Sequence, residues 1–417
     1  MQTNMINIYK EGFIMNPTIQ NGSACIEPTP PVLPTHTFTY GYSCSHETYQ
    51  QLYTQLMKGH KVRRYTNKHI TSYTTVDYYS IGLNQIEFKI TYLGNELYKH
   101  GIRFLINPSL LQSNNKILYN QIISISKIKD IPYNLSSILY ELSDHIIDAL
   151  NEGKIHRADY CFNLWFSHNH LMKIRKMYFP IDSQLLAQLY MNLLVKGNIP
   201  PNFKSSQAHT PRQDVSEPKE FTIQCNSYEL SIYLKHAQIL EHNERTGNNI
   251  YDEDSLNDSY GQIRFELRLS RKRLYYDKKT LHCTELELIS GSNVKVFPTL
   301  KKLLKSIYGS GDFLQYEETK HQIQEKKSGK VQQNMLHFLQ IVKQCKCLTY
   351  EKIHKCDPHI TKDVFKRYMN YFNEINLSPI TLPNKSPVSF FPNPIKYLEG
   401  QSFQFLRKTD SIIFEEE

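Results

Sequence analysis

Three stretches of this 417-residue chain carry ionisable side chains at every second position. In "SYELSIYLKHAQILEHNER", Tyr228, Leu230, Ile232 and Leu234 point one way along an extended chain. Glu229, Ser231, Tyr233 and Lys235 point the other way, with His236 next in line. In "KIHRADYCFNLWF", Arg157, Asp159, Cys161 and Asn163 share a face opposite Ala158, Tyr160, Phe162 and Leu164. In "GQIRFELRLSRKRL", Arg264, Glu266, Arg268 and Ser270 lie opposite Ile263, Phe265, Leu267 and Leu269. If these strands belong to one antiparallel sheet, their polar faces converge on a cleft. That cleft would hold two carboxylates (Asp159 and Glu266), a phenol (Tyr233) and several cations.

A tyrosine phenol has a pKa of about 10, so as a nucleophile it needs help with its proton and with the charge of the group it attacks. A divalent cation, Mg2+ or Mn2+, held by Asp159 and Glu266 would polarise a phosphodiester oxygen. Lys235, beside Tyr233, would stabilise the phenolate and the developing phosphorane. One phosphodiester is exchanged for another, so nicking and rejoining can share a site. The plainer alternative is an ordinary strand tyrosine at 233, with Asp159 and Glu266 in structural ion pairs to neighbouring arginines. The run "RLSRKRLYYDKK" supplies Arg268, Arg271, Lys272, Arg273, Lys278 and Lys279. With Arg157 and Arg264 these are the candidate DNA phosphate contacts, and Tyr275 and Tyr276 are second-choice nucleophiles.

The elements that must position these groups follow from pattern and composition. With 40% hydrophobic residues the chain can bury a sizeable core. The spacing predicts an α+β fold, an antiparallel sheet with helices on one face, plus a small mainly helical C-terminal domain. Residues 1–37 are polar and proline-dotted and are expected to be poorly ordered. Residues 38–329 form the catalytic domain, and 330–417 follow a linker at "KKSGK". An amphipathic helix is expected in "NLSSILYELSDHIIDALNEG", starting near Asn134 or Ser136 and ending before Gly153. A second is expected in "DSQLLAQLYMNLLV", and the polar stretch from 197 to 220 reads as a loop. Towards the C-terminus, one helix precedes another that starts at Thr361 with Asp363 in its first turn. Lys362, Lys366 and Arg367 there suit DNA as a helix-turn-helix would.

A formal charge of +9, with 29 tyrosines and 20 phenylalanines among 49 lysines and arginines, suits single-stranded nucleic acid. Cations track phosphates and rings stack on bases. An AT-rich genome would enrich the same residues. No apolar run reaches the roughly 18 residues of a membrane span, and the start of the chain has no export signal. A cytoplasmic protein with no membrane partner and eight reduced cysteines is expected. Two further clusters have metal-ligand types. His168 and His170 flank Asn169 in "SHNHL", in a loop after Trp165. Cys345, Cys347, His354 and Cys356 fall in a short span where zinc competes with buried thiols.

The blocks "IHRADYCFNL", "SIYLKHAQILEHN" and "GQIRFELRLSRKRL" resemble, in the same order, three blocks of the gene II family of replication initiator endonucleases of filamentous phages. The resemblance runs from about Tyr79 to the C-terminus. It implies that Tyr233 is the nicking tyrosine, with Lys235 and His236 as neighbours, and that Asp159 and Glu266 match acidic positions. It further implies rolling-circle initiation. One strand of a double-stranded replicative form is nicked at the origin, and the protein stays on the 5′ phosphate. A 3′ hydroxyl is left for a polymerase, and the displaced single strand is later rejoined. Origin DNA, the displaced strand, a host helicase and a host DNA polymerase are then partners, in the bacterial cytoplasm. The C-terminal part can also be made alone, with Met335 as the start. The His-hydrophobic-His motif of most rolling-circle initiators has only the "SHNHL" near match. Two other classes stay open: a DNA-binding replication regulator without nicking, and a relaxase-like or transposase-like tyrosine endonuclease of another mobile element.

Overall fold

A computed structural model describes residues 33, 35–111, 130–143, 152–166, 171–174, 177–205, 217–246, 253–399 and 413–414. The main sheet contains β1 (Thr35–Cys44), β2 (Arg63–Thr66), β3 (Ile70–Thr75), β4 (Leu83–Gly94), β5 (Leu97–Ile106), β6 (Lys154–Trp165), β7 (Lys204–Ser205), β8 (Glu220–Gln224), β9 (Tyr228–Leu234) and β10 (Gln262–Ser270). The helices used below are α1 (His46–Met57), α2 (Ile131–Leu142), α3 (Ser183–Leu194), α4 (Lys235–Thr246), α5 (Arg271–Leu281), α6 (Glu287–Tyr308), α7 (Tyr316–Lys326), α8 (Gly329–Cys345), α9 (Tyr350–Cys356) and α10 (Lys362–Glu374). The strand order is β2-β3-β4-β5-β1-β6-β10-β9-β8-β7. The ladders joining β1 to β6 are antiparallel. The fold is α+β, and the three strands singled out by their alternating chemistry, β6, β10 and β9, are neighbours.

Contacts divide the chain into two compact units. The first runs to Cys161 and adds Asn226–Glu229 and Glu266–Phe297. Here β1 and β3 to β5 alternate between a buried apolar face and a polar one. Phe38, Phe88, Ile102 and Phe104 are buried, and Glu87, Lys89 and Arg103 on the other face are half-buried. Helix α1 covers the apolar face. Ser45 caps it by accepting the Thr48 N–H at 3.1 Å, and the rings of Tyr49 and Tyr53 both stand edge-on to Phe88 at 5.3 Å. Strand β1 starts at Thr35, inside the segment expected to be poorly ordered. "THTFTYGY" alternates threonines with aromatic residues, and that local β preference outweighs the prolines before it. Helix α2 starts before Asn134, because Pro132 sits in its first turn, where a missing N–H costs nothing. It ends at Ser143, and residues 144–151 lie outside the described residues; Glu152 is helical and Gly153 follows it, and a Cβ there would run into the Tyr40 ring, so glycine lets the chain pass beneath Tyr40 into β6.

The second unit comprises Phe162–Cys225, Leu230–Phe265 and Pro298–Glu417. Helix α3 begins as the sequence indicates, with Asp182 accepting the Leu185 N–H at 2.9 Å. The segment expected to form a separate C-terminal domain packs on α3. The Tyr190 hydroxyl donates to the Pro392 carbonyl at 2.9 Å, and the rings of Phe313, Phe391 and Tyr397 surround Tyr190. The Leu348 N–H donates to the Lys196 carbonyl at 2.7 Å. The linker sequence "KKSGK" is only the short break between α7 and α8. Helix α10 begins at the expected cap, Thr361, whose hydroxyl accepts from the Val364 N–H. Among the described residues no helix is long and apolar enough to cross a membrane.

Candidate active site

In the first unit the polar faces of β6, β9 and β10 meet at Arg268. Its Nε donates to Asp159 Oδ1 at 3.2 Å, and one terminal nitrogen to Glu266 Oε1 at 3.1 Å. The other terminal nitrogen donates to Glu229. Arg157 Nε reaches both Asp159 oxygens, at 2.8 and 2.9 Å. The Thr37 hydroxyl donates to Asp159 Oδ2 at 2.6 Å. Asp159 is 0% and Glu266 5% exposed. Burying such charges is costly unless each is paired, and this network pairs them. Burial draws the Arg268 pKa down, but the carboxylates of Asp159, Glu266 and Glu229 outweigh it and hold the guanidinium above its ordinary range. The ion-pair alternative raised by the sequence is therefore realised for both acids.

Whether this centre suits a divalent metal turns on its donors. Among the described residues no group of three or more His, Cys, Asp or Glu is arranged to hold a metal ion. Asp159, Glu229 and Glu266 instead surround the guanidinium of Arg268. Three carboxylate groups against two guanidiniums are nevertheless hard oxygen donors of the type Mg2+ or Mn2+ takes. By donor chemistry Asp159 and Glu266 fit such an ion, which would share them with Arg268 or displace it.

The tyrosine block lies in the second unit. Ser231, Tyr233 and Lys235 are only 8%, 7% and 1% exposed, so the polar face of β9 is buried and not solvated. Lys235 is the first residue of α4, and its Nζ donates to Gln238 Oε1 at 2.8 Å. His236 faces elsewhere. Its Nδ1 lies 3.1 Å from the Leu256 carbonyl and 3.2 Å from the Ser259 hydroxyl, and its ring stands edge-on to Tyr260 at 5.3 Å. A carbonyl only accepts, so Nδ1 is the donor to it. With Leu234, His236 lines a cleft of about 420 Å3 walled by Glu217, Lys219, Glu241 and Glu244; Tyr233 does not line it. Three glutamates make that cleft a poor place for a phosphate. His236 is thus held at the start of α4 by the Leu256–Ser259 turn.

The basic residues sort by exposure. Arg264 is 0% exposed, with its Nε bound to Asn163 Oδ1 at 2.8 Å, so it is structural and leaves the DNA-contact set. Ser270 caps α5, whose Leu274 and Asp277 are buried. Arg271, Lys272 and Lys279 are exposed with Tyr275 and Tyr276, which are 61% and 60% exposed. Arg273 pairs with Asp277 at 2.9 Å and lies over the rings of Tyr228 and Tyr276. Lys279 sits 4.8 Å from the Tyr275 ring, and Lys278 is paired with Glu285. Helix α5 therefore presents cations and rings together. On α10, Lys362, Lys366 and Arg367 are exposed while Phe365, Tyr368 and Phe372 are buried.

His168 and His170 lie outside the described residues. Of the proposed zinc ligands, Cys345 and Cys356 have their sulfurs 2.7 Å apart, and His354 turns Nδ1 to the Ile360 carbonyl at 3.1 Å. Burial, with Cys356 beside it, pushes the Cys345 thiol up to about 12. Sequence reasoning missed Glu229 and Thr37. Glu229 alternates with Tyr233 and was visible in that pattern; Thr37 fell in the segment set aside as poorly ordered. No family model, curated protein or solved structure matches this chain.

Proposed function

We propose that this protein is a site-specific DNA nicking and joining enzyme that initiates rolling-circle replication, with Tyr233 as its nucleophile. The observation that carries the reading is the convergence of β6, β9 and β10 on one buried centre of three carboxylates and two arginines. A purely structural sheet gains little from such a centre, because well-packed apolar residues serve stability as well or better. In the reaction, Tyr233 loses its proton and its oxygen bonds to phosphorus. The bond to the 3′ oxygen breaks, and that oxygen takes up a proton to leave a 3′ hydroxyl. The reverse exchange rejoins the displaced strand. Lys235 steadies the phenolate, Asp159 and Glu266 would hold Mg2+ or Mn2+, and His236 positions the start of α4. When bound, the metal supplies charge to offset the phosphoryl oxygens. Origin duplex, displaced single strand, and a host helicase and polymerase are the partners of this reading, in a bacterial cytoplasm.

A DNA-binding replication regulator without nicking is the second reading. It is favoured by the two arginines on Asp159 and by the burial of Tyr233. The test is incubation with a supercoiled plasmid carrying the intergenic region beside the gene, in Mg2+ or Mn2+. Open circles that disappear with Tyr233→Phe support the nicking enzyme; retarded plasmid without a nick in either metal supports the regulator.

A further inference from the structure

The face of the first-unit sheet opposite α1 has a composition of its own. Register places Tyr65, Ser72, Lys89, Gly101 and Ser43 in one row across β2, β3, β4, β5 and β1. Arg63, Thr74, Glu87, Arg103 and Gly41 form the next row. Arg63 and Tyr65 are exposed on the edge strand, Tyr65 by 62%. The acid in these rows, Glu87, lies 3.5 Å from Arg103. Small residues keep the face low. Gly41 lets the Arg103 side chain lie across β1, since a Cβ there would meet Arg103 Cγ at 2.8 Å and the His156 ring at 3.1 Å. Further along β1, Thr39 and Thr37 stand opposite Arg157 and Asp159, so the face runs into the buried charge centre.

Cations crowd one another here. The Lys89 pKa is lowered by burial and by Arg103, and that of His156 falls from its ordinary 6.5 to about 4 through burial, Arg103 and Arg271. Such repulsion is relieved by an anion. From β2 to β6 the face spans about 24 Å at the usual strand spacing, room for several nucleotides of an extended strand.

We infer that this sheet face is a docking surface for single-stranded DNA, with phosphates held by Arg63, Lys89 and Arg103 and a base stacked on Tyr65, leading the strand to the Asp159 centre. The inference rests on the proposed nicking function only for the choice of DNA as ligand. The test measures fluorescence anisotropy of labelled oligodeoxythymidylate with the full-length protein over a salt series. This probe has no origin and no cleavage site, so a failure to nick plasmid leaves the measurement intact. For Arg63→Glu with Lys89→Glu, affinity should fall at least about tenfold. The slope of log K against log salt should flatten by about 0.7 for each cation removed. Arg63→Ala with Tyr65→Ala, on the exposed edge, guards against a charge-reversed variant that does not fold, and it should weaken binding several-fold. Unchanged binding in a folded variant, or wild-type protein that leaves the probe free, would overturn the inference. So would a duplex of equal length that competes as well as the single strand.

Discussion

Strands β4 and β5 differ from β10 in what covers their second face. In β4 and β5 a buried residue alternates with a half-buried one over the middle of each strand, so one face meets α1 and the other stays open. In β10, Gln262 to Leu267 are buried without a break, and Arg264 and Glu266 are as enclosed as Ile263 and Phe265. A half-buried face leaves its ionisable groups part of their water, and Glu87 pairs with Arg103 across it. An enclosed one must match every charge, and the network around Arg268 is that matching. Buried charge that packing alone would replace with apolar side chains is where chemistry is to be sought.

Substitutions distinguish the enclosed end of the sheet from the half-buried one. Removing a carboxylate at the enclosed end has the largest expected effect: Asp159→Ala strands Arg157 and Arg268 and should lower stability by about 3–5 kcal/mol in urea denaturation. The sharpest contrast uses one substitution at two positions of β1. Thr37→Val removes the hydroxyl bonded to Asp159 and should cost about 1–3 kcal/mol. Thr39→Val, half-buried on the open face, should stay within about 0.5 kcal/mol. An equal cost at both would erase the distinction between the two regions.

Acid titration separates the regions in another way. His156 titrates at about 4 when folded and at its ordinary 6.5 when unfolded. The unfolded chain therefore binds the proton first, and the stability from a neutral His156 is complete above pH 6.5 and lost as pH falls towards 4. His156→Gln should flatten the stability profile through that window, as read by denaturation at several pH values. A modest effect is expected at the cap of α10, where Thr361→Ala should cost about 1 kcal/mol without altering DNA binding in the anisotropy assay.

Much of this was legible in the residues. Alternation in "HRADYCFNL", "YELSIYLK" and "QIRFELRL" located β6, β9 and β10, and Asp182 and Thr361 marked two helix starts. Period-two patterning reports that a strand has two faces, not what covers each. For that reason the burial of Arg264 and Tyr233 was not readable, and neither was the turning of His236 into a separate cleft. The packing of Phe391, Pro392 and Tyr397 on α3 was hidden for a similar reason: a short polar break between helices looks the same whether it joins neighbours or domains. The run "RKRLYYDKK" read as charge, and only the spacing of Leu274 and Asp277 within α5 shows which of its cations face outward.

The proposed step, exchange of a DNA phosphodiester at Tyr233, leaves a covalent trace. It is tested most directly by trapping protein on supercoiled origin plasmid in Mg2+ or Mn2+, digesting with protease and mapping the peptide left on the DNA. A 5′ phosphotyrosine is expected on the peptide containing Tyr233 and is absent from Tyr233→Phe. An adduct on Tyr275 or Tyr276, or a plasmid that is bound and never nicked, would contradict it.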